Sequence, residues 1–123
     1  MTEKQKILIV DDDECNRFLF ERALGQYYDT RSVASGESCL EAINTFIPDA
    51  FLLDVLMPGG MDGFELCQEI RSQNQFDNSL IIFLSGLEQA DKKVYGYQVG
   101  ADDFISKEFG VNLLKAKLDS QLK

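Results

Sequence analysis

Apolar residues fall along this chain in two alternating rhythms. Lys6-Ile-Leu-Ile-Val10 is a continuous β-branched run. Ala50-Phe-Leu-Leu-Asp54 is a second run that ends on an acid, and Leu80-Ile-Ile-Phe-Leu84 a third that stops at Ser85-Gly86. Short runs without polar alternation predict strands buried on both faces, as in a parallel sheet. Residues 30–33 and 103–106 predict two shorter strands. Between the strands, apolar positions recur at helical spacing. Cys15, Phe18, Leu19, Arg22 and Ala23 do so up to a stop at Gly25. Cys39, Ala42, Ile43 and Phe46 form one stripe over 38–46, behind a cap at Ser35. Leu66, Cys67 and Ile70 face inward behind a cap at Asp62. Ala90, Val94 and Tyr97 lie on a helix over about 89–99, and Val111, Leu114, Leu118 and Leu122 on a closing one. Residues 73–78 read as a polar connection. The order βαβαβαβαβα predicts an α/β fold, a doubly wound parallel sheet with right-handed crossovers and helices on both faces.

Composition narrows the function classes. At 123 residues, with no repeat, linker or low-complexity tract, the chain is expected to be one domain over 1–123. Twelve Lys and Arg against 21 Asp and Glu leave a net charge of −9, which disfavours direct nucleic-acid binding. The absence of histidine removes Ser-His and Cys-His catalysis and histidine-ligated zinc. Cys15, Cys39 and Cys67 are odd in number and dispersed, which predicts reduced core thiols in a cytoplasmic protein. No apolar run approaches the roughly 20 residues of a membrane helix, and no signal-peptide pattern opens the chain, so no membrane role is expected.

In a doubly wound sheet, ligands bind at the carboxyl ends of the strands. Those positions here carry Asp11, Asp12, Asp13 and Glu14 after the first strand, Asp54 at the end of the third, Ser85 after the fourth and Lys107 after the fifth. A carboxylate cluster, a hydroxyl and an ammonium on one rim suit a divalent cation, Mg²⁺, and a phosphoryl group. A carboxylate can itself attack phosphorus to form an acyl phosphate. An EF-hand reading of the acidic run fails, because Cys15 stands where a third ligand belongs. Ser85 lies in no Gly-x-Ser-x-Gly elbow, and no Walker A pattern is present. A hydrolase of the haloacid dehalogenase type would need an aspartate two residues after the nucleophile, where Leu56 stands.

Ile9-Val-Asp-Asp12, Leu53-Asp54-Val-Leu-Met57-Pro58, Met61-Asp-Gly63, Leu84-Ser85-Gly86 and Gly100-Ala-Asp-Asp-Phe-Ile-Ser-Lys107 occur in this order, each at a strand end. Over essentially its whole length the chain resembles the CheY-like receiver domain of two-component response regulators. The resemblance implies a (βα)5 flavodoxin-like sheet of order 2-1-3-4-5. It implies Asp54 as phosphoacceptor, with Asp11 and Asp12 as the acid pair. Asp12, Asp54 and the backbone carbonyl of Leu56 would bind Mg²⁺ directly, and Asp11 through water. Ser85 and Phe104 would be the switch residues, and Lys107 the cation that neutralises the phosphoryl group. Asp13 matches no functional position and reads as a helix cap.

The chain departs from the family pattern at three points. Gly59 and Gly60 lengthen the loop after Pro58 by one residue, Gly86 stands where alanine is commoner, and Glu108 replaces the proline after Lys107. The family's proline bond is typically cis, whereas a cis bond before another residue type costs about 2.5–4 kcal/mol.

The implied function is that of a phosphoacceptor, not an enzyme. It would take its phosphoryl group from a sensor histidine kinase or a histidine phosphotransfer protein and act on a downstream effector or fused output domain. The regulated face would be formed by the fourth helix, fifth strand and fifth helix. The alternative is a pseudo-receiver, a protein-interaction module indifferent to phosphate. Asp102 and Asp103 match the acidic pair of receivers that dimerise through this face. Lys117 replaces an arginine, Lys93 supplies a further base, and Leu113 replaces an acid. That incomplete network implies a monomer, or a weak dimer that depends on phosphorylation.

Overall fold

The computed structural model describes residues 4–86, 92–107 and 110–122. Strands β1 (Lys6–Val10), β2 (Asp29–Val33), β3 (Ala50–Asp54), β4 (Leu80–Ser85) and β5 (Asp103–Ser106) form one sheet in the order 2-1-3-4-5. Every pairing is parallel. The strands alternate with helices α1 (Glu14–Leu24), α2 (Gly36–Ala42), α3 (Gly63–Arg71), α4 (Lys93–Gln98) and α5 (Gly110–Gln121). The expected fold and strand order are therefore those observed.

The unbroken apolar runs are explained by burial on two sides. Leu8, Val10, Phe51, Leu53, Ile81 and Phe83 point to one face and pack with Cys39 of α2 and Leu66, Cys67 and Ile70 of α3. Their neighbours Ile7, Ile9, Leu52, Ile82 and Leu84 point to the other, against Leu24 of α1 and Leu114 and Leu118 of α5. Full burial of one such side chain stabilises by roughly 1.5–3 kcal/mol. The chain leaves β1 toward β2 and then crosses back to β3, so the reversal of direction lies between β1 and β3. The crevice opens there, at the carboxyl ends.

Side-chain caps set several helix starts. Asp13 caps α1 by accepting from the Cys15 amide, and Ser35 caps α2 by accepting from Ser38. Asp62 and Glu65 form a reciprocal capping box on α3.

Four expectations need correction. First, α2 ends at Ala42 rather than near residue 46, yet Ile43 and Phe46 stay buried. A closing turn, with the Phe46 amide on the Ala42 carbonyl, keeps them under the sheet. Second, the apolar stripe of α1 faces solvent: Phe18 is 60% and Leu19 57% exposed, and Cys15 is an exposed thiol, not a core one. A helix laid on a sheet buries only one stripe, and in α1 that stripe runs through Phe20 and Leu24. Third, α4 exposes Val94 and Tyr97 and buries Gly96 instead; Ala90 lies outside the described residues. Fourth, residues 73–78 contain a 3-10 turn, Asn74–Phe76. It sinks Phe76 fully into the core, edge-on to Phe51 at 5.6 Å between centroids.

Arg71, at the end of α3, ties three segments together. Its guanidinium donates to the carbonyls of Gly100 (2.9 Å), Phe76 (2.8 Å) and Ser79 (2.9 Å), and pairs with Asp102 at 2.8 Å. The same Asp102 oxygen accepts the Ile81 amide at 2.9 Å. Among the described residues, no helix is long and apolar enough to cross a membrane.

Arg71→Met keeps the aliphatic stem but strands three carbonyls. Hydrogen bonds to a charged donor contribute about 1.5–3 kcal/mol each, with partial recovery from water. The variant is expected to lose at least about 2 kcal/mol in urea unfolding. A loss below about 0.5 kcal/mol would show that solvent replaces the guanidinium.

Candidate functional site

The residues after β1, β3 and β5 meet on one rim. Asp11 is fully buried, Asp54 is 5% exposed and Asp12 faces solvent. One carboxylate oxygen from each of Asp11, Asp12 and Asp54 lies within 4.8 Å of the others. The Lys107 ammonium spans the group, 3.1 Å from Asp54 Oδ1 and 3.4 Å from Asp11 Oδ2. Ser85 ends β4 and is buried; it sits one residue past Leu84, the register partner of Asp54, and opposite Ser106 of β5. The Lys107–Glu108 bond lies outside the described residues.

Each acid is held by its local backbone. Asp54 Oδ1 accepts the Leu56 amide at 3.3 Å. The backbone carbonyl of Asp54 lies so close to Gly63 that a Cβ there would overlap it. Gly63 thus lets the first turn of α3 close on the end of β3, and its amide bonds the Val55 carbonyl at 3.1 Å. Asp11 Oδ1 accepts the Asp13 amide at 2.9 Å, and Oδ2 accepts the Asn16 side-chain amide at 3.3 Å. Arg17 donates to the Asp11 carbonyl at 2.8 Å. No apolar periodicity marks Asn16 or Arg17; their only sequence signal is that they lie one turn into the helix behind the acidic run. The lengthened loop is tied to α2, where Glu37 accepts the Met61 amide at 3.2 Å. Leu56 reaches solvent at the rim, 47% exposed.

Burial raises the Asp54 pKa and Asp11 adds to the rise. Lys107 and the Leu56 amide oppose it, and the carboxyl ends pushed up to about 6. Burial works against the Lys107 charge, but Asp54 and Asp11 outweigh it and hold its pKa above the ordinary lysine value. An all-oxygen donor set with a buried carboxylate at its base fits a hard cation such as Mg²⁺. A phosphoryl group would find a nucleophilic carboxylate beside a fixed ammonium.

The chain and its fold resemble known proteins. The profile of the response regulator receiver domain matches residues 7–119. The chain belongs to the response regulator receiver family. The chemotaxis response regulator CheY4 of Vibrio cholerae superposes with a TM-score of 0.88 at 29% identity, over 96% of this chain and 98% of that one. The BeF3-activated N-terminal receiver domain of Klebsiella pneumoniae RstA gives 0.87 at 32% identity, over 97% and 99%. In sequence, the probable transcriptional regulator ycf27 of Porphyridium aerugineum is 35% identical over 122 residues, covering 98% of this chain and 49% of that protein. The chain spans about half the length of that relative.

Phe104, the aromatic at the position that the resemblance makes a switch residue, lies inside. It is 6% exposed, and its ring packs 5.1 Å from Phe83 and 5.4 Å from Tyr97 between centroids. Phe64 extends the cluster, 5.1 Å from Phe83 and 5.0 Å from Tyr95. The ring fits because α4 has Gly96 at the contact: a Cβ there would overlap Phe104 and stand 3.3 Å from Phe64. Nearby, Asp103 pairs with Lys117 at 2.8 Å and accepts Gln121 at 3.0 Å. Burial pushes the Asp103 pKa up, but these bonds prevail and hold it below the usual range. The acidic pair Asp102 and Asp103 is thus engaged within one chain.

Two outcomes follow for variants of this site. The native Asp54 carboxyl titrates near 6 and its ordinary value is 3.8. Between those values the native state binds the extra proton, so stability falls as pH rises from about 4 to about 6. The ionised form carries a cost on the order of 3 kcal/mol. Asp54→Asn is expected to raise Tm at pH 7.5 and to flatten the pH 4–6 decline. Calorimetry that finds Asp54→Asn less stable than the parent at pH 7.5 would contradict the crowding argument.

Gly96→Ala improves helix propensity by about 1 kcal/mol but places a methyl inside the Phe104 ring. The substitution is expected to lower Tm in the parent and to raise it in a Phe104→Ala background. The same sign in both backgrounds would show that the ring does not occupy the Gly96 notch.

Proposed function

We propose that the chain is a Mg²⁺-dependent phosphoacceptor that takes its phosphoryl group on Asp54 from the phosphohistidine of a sensor histidine kinase or histidine phosphotransfer protein. One observation carries this reading: the Lys107 ammonium bridges Asp54 and Asp11 in a rim where Asp12 completes a three-carboxylate group. An Asp54 oxygen attacks phosphorus in line, the P–N bond breaks, and the imidazole nitrogen leaves with the electron pair. Mg²⁺, held by Asp12, Asp54 and the Leu56 carbonyl, with Asp11 acting through water, would neutralise charge on the transferring oxygens. Lys107 pairs with one phosphoryl oxygen and Ser85 donates to another. Phosphoryl transfer needs positioning and charge compensation more than proton shuttling, so a site without histidine suffices.

The exposed Phe18 and Leu19, on the helix that follows the acidic run, offer an apolar face to a protein donor. The acceptor turns over its own phosphate slowly and works as a switch rather than an enzyme. Its output is a change in the face of α4, β5 and α5, where Val94, Tyr97 and Leu113 are exposed, read by an effector or a fused output domain. With Asp102 and Asp103 engaged within the chain, the expected state is a monomer, or a weak dimer on phosphorylation. The reading places the protein in the cytoplasm as a single receiver domain over 1–123. A pseudo-receiver role is disfavoured because no required charged group is missing from the rim.

Incubation with acetyl phosphate and Mg²⁺ is expected to add the mass of one phosphoryl group, and Asp54→Asn to abolish the gain. Phe18→Asp should leave labelling by the small donor intact while slowing transfer from a phosphorylated protein donor several-fold. Labelling that persists in Asp54→Asn would move the acceptor elsewhere.

A further inference from the structure

Asp11 is the most deeply buried charge on the rim, and a buried carboxylate must keep its donors. Its Oδ1 has the Asp13 amide. Its Oδ2 has two donors at similar range, the Asn16 side-chain amide at 3.3 Å and the Lys107 ammonium at 3.4 Å. Lys107 is shared, standing slightly nearer to Asp54 at 3.1 Å. A phosphoryl group carried on Asp54 would draw the ammonium toward its oxygens and weaken its bond to Asp11. Leaving that Oδ2 short of protein donors would carry part of the desolvation cost of a charged group. Asn16 already points at the same oxygen and is neutral, so it covers Asp11 without drawing on the Lys107 charge.

We infer that Asn16 is a positioning residue of the phosphoacceptor site: its amide stands in for Lys107 on Asp11 and so frees the lysine for the phosphoryl group. The inference rests on the phosphoacceptor reading above. Three consequences distinguish it from a purely structural role. Before phosphorylation Lys107 still covers Asp11, so loss of the Asn16 amide is nearly silent. In the phosphorylated form the loss is felt in full. The effect requires only the donor, so any replacement that cannot donate acts alike.

The test uses the phosphoryl mimic beryllofluoride with Mg²⁺ and reads the rise in Tm that it produces in the parent, in Asn16→Leu and in Asn16→Ala. Leucine keeps the volume and alanine the helix, and neither donates. Both variants are expected to unfold within about 2 °C of the parent without the mimic, a stability difference well under about 1 kcal/mol for a domain of this size. With the mimic, both should show less than half of the parental rise. A rise of parental size in both variants would overturn the role of Asn16 and leave the phosphoacceptor reading standing, even if their starting Tm is lowered. No rise in the parent itself would overturn both.

Discussion

Three carboxylates crowd one rim, and the Lys107 ammonium pairs with the two buried ones. Asp11 and Asp54 are buried, so their mutual repulsion is poorly screened, and the ammonium of Lys107 between them offsets it only in part. The balance shows in the raised pKa of Asp54. A site left this unbalanced suits a group that brings positive charge. Sheet topology imposes the crowding: β1 and β3 are neighbours, and their last residues cannot avoid each other.

Packed rings join the rim to the other half of the molecule. β4 carries Ser85 at the rim and Phe83 two residues earlier, and Phe83 lies opposite Phe104 of β5. Phe104 in turn rests in the notch that Gly96 leaves in α4. Under the proposed switch, a shift at the end of β4 would reach α4 through these rings in contact. Charge is used instead to fasten the frame. Arg71 and Asp102 tie α3 to β4 and to the loop before β5, and Asp103 ties β5 to α5. Acids that could have been offered to a second copy are thereby committed inside one chain.

Much of this was legible from residue order alone. The apolar runs at 7–10, 50–53 and 80–84 could only be buried parallel strands, and strands alternating with helical stripes left one fold class. The candidate site followed because such a fold gathers strand ends, so residues far apart in the chain, Asp11, Asp54 and Lys107, had to meet. Asp13 and Asp62 were readable as caps because capping is a local interaction, decided within a few residues.

Tertiary structure decided what depends on which neighbour lies alongside. Periodicity marks a helix but not which side it buries, so Phe18 and Leu19 looked like core and proved to be surface. Phe76, in a polar stretch, is core because Phe51 offers it an edge. Gly96 carries no hydrophobic signal, and its importance exists only because Phe104 lies across from it. Asn16 is one polar residue among many on α1 until the fold lays it on Asp11. By itself the sequence determined the elements, their order and the acids and base of the rim, because these follow from local pattern and topology. The facing of α1 and α4 and the engagement of Asp102 and Asp103 were settled only by long-range packing, which residue order does not encode locally.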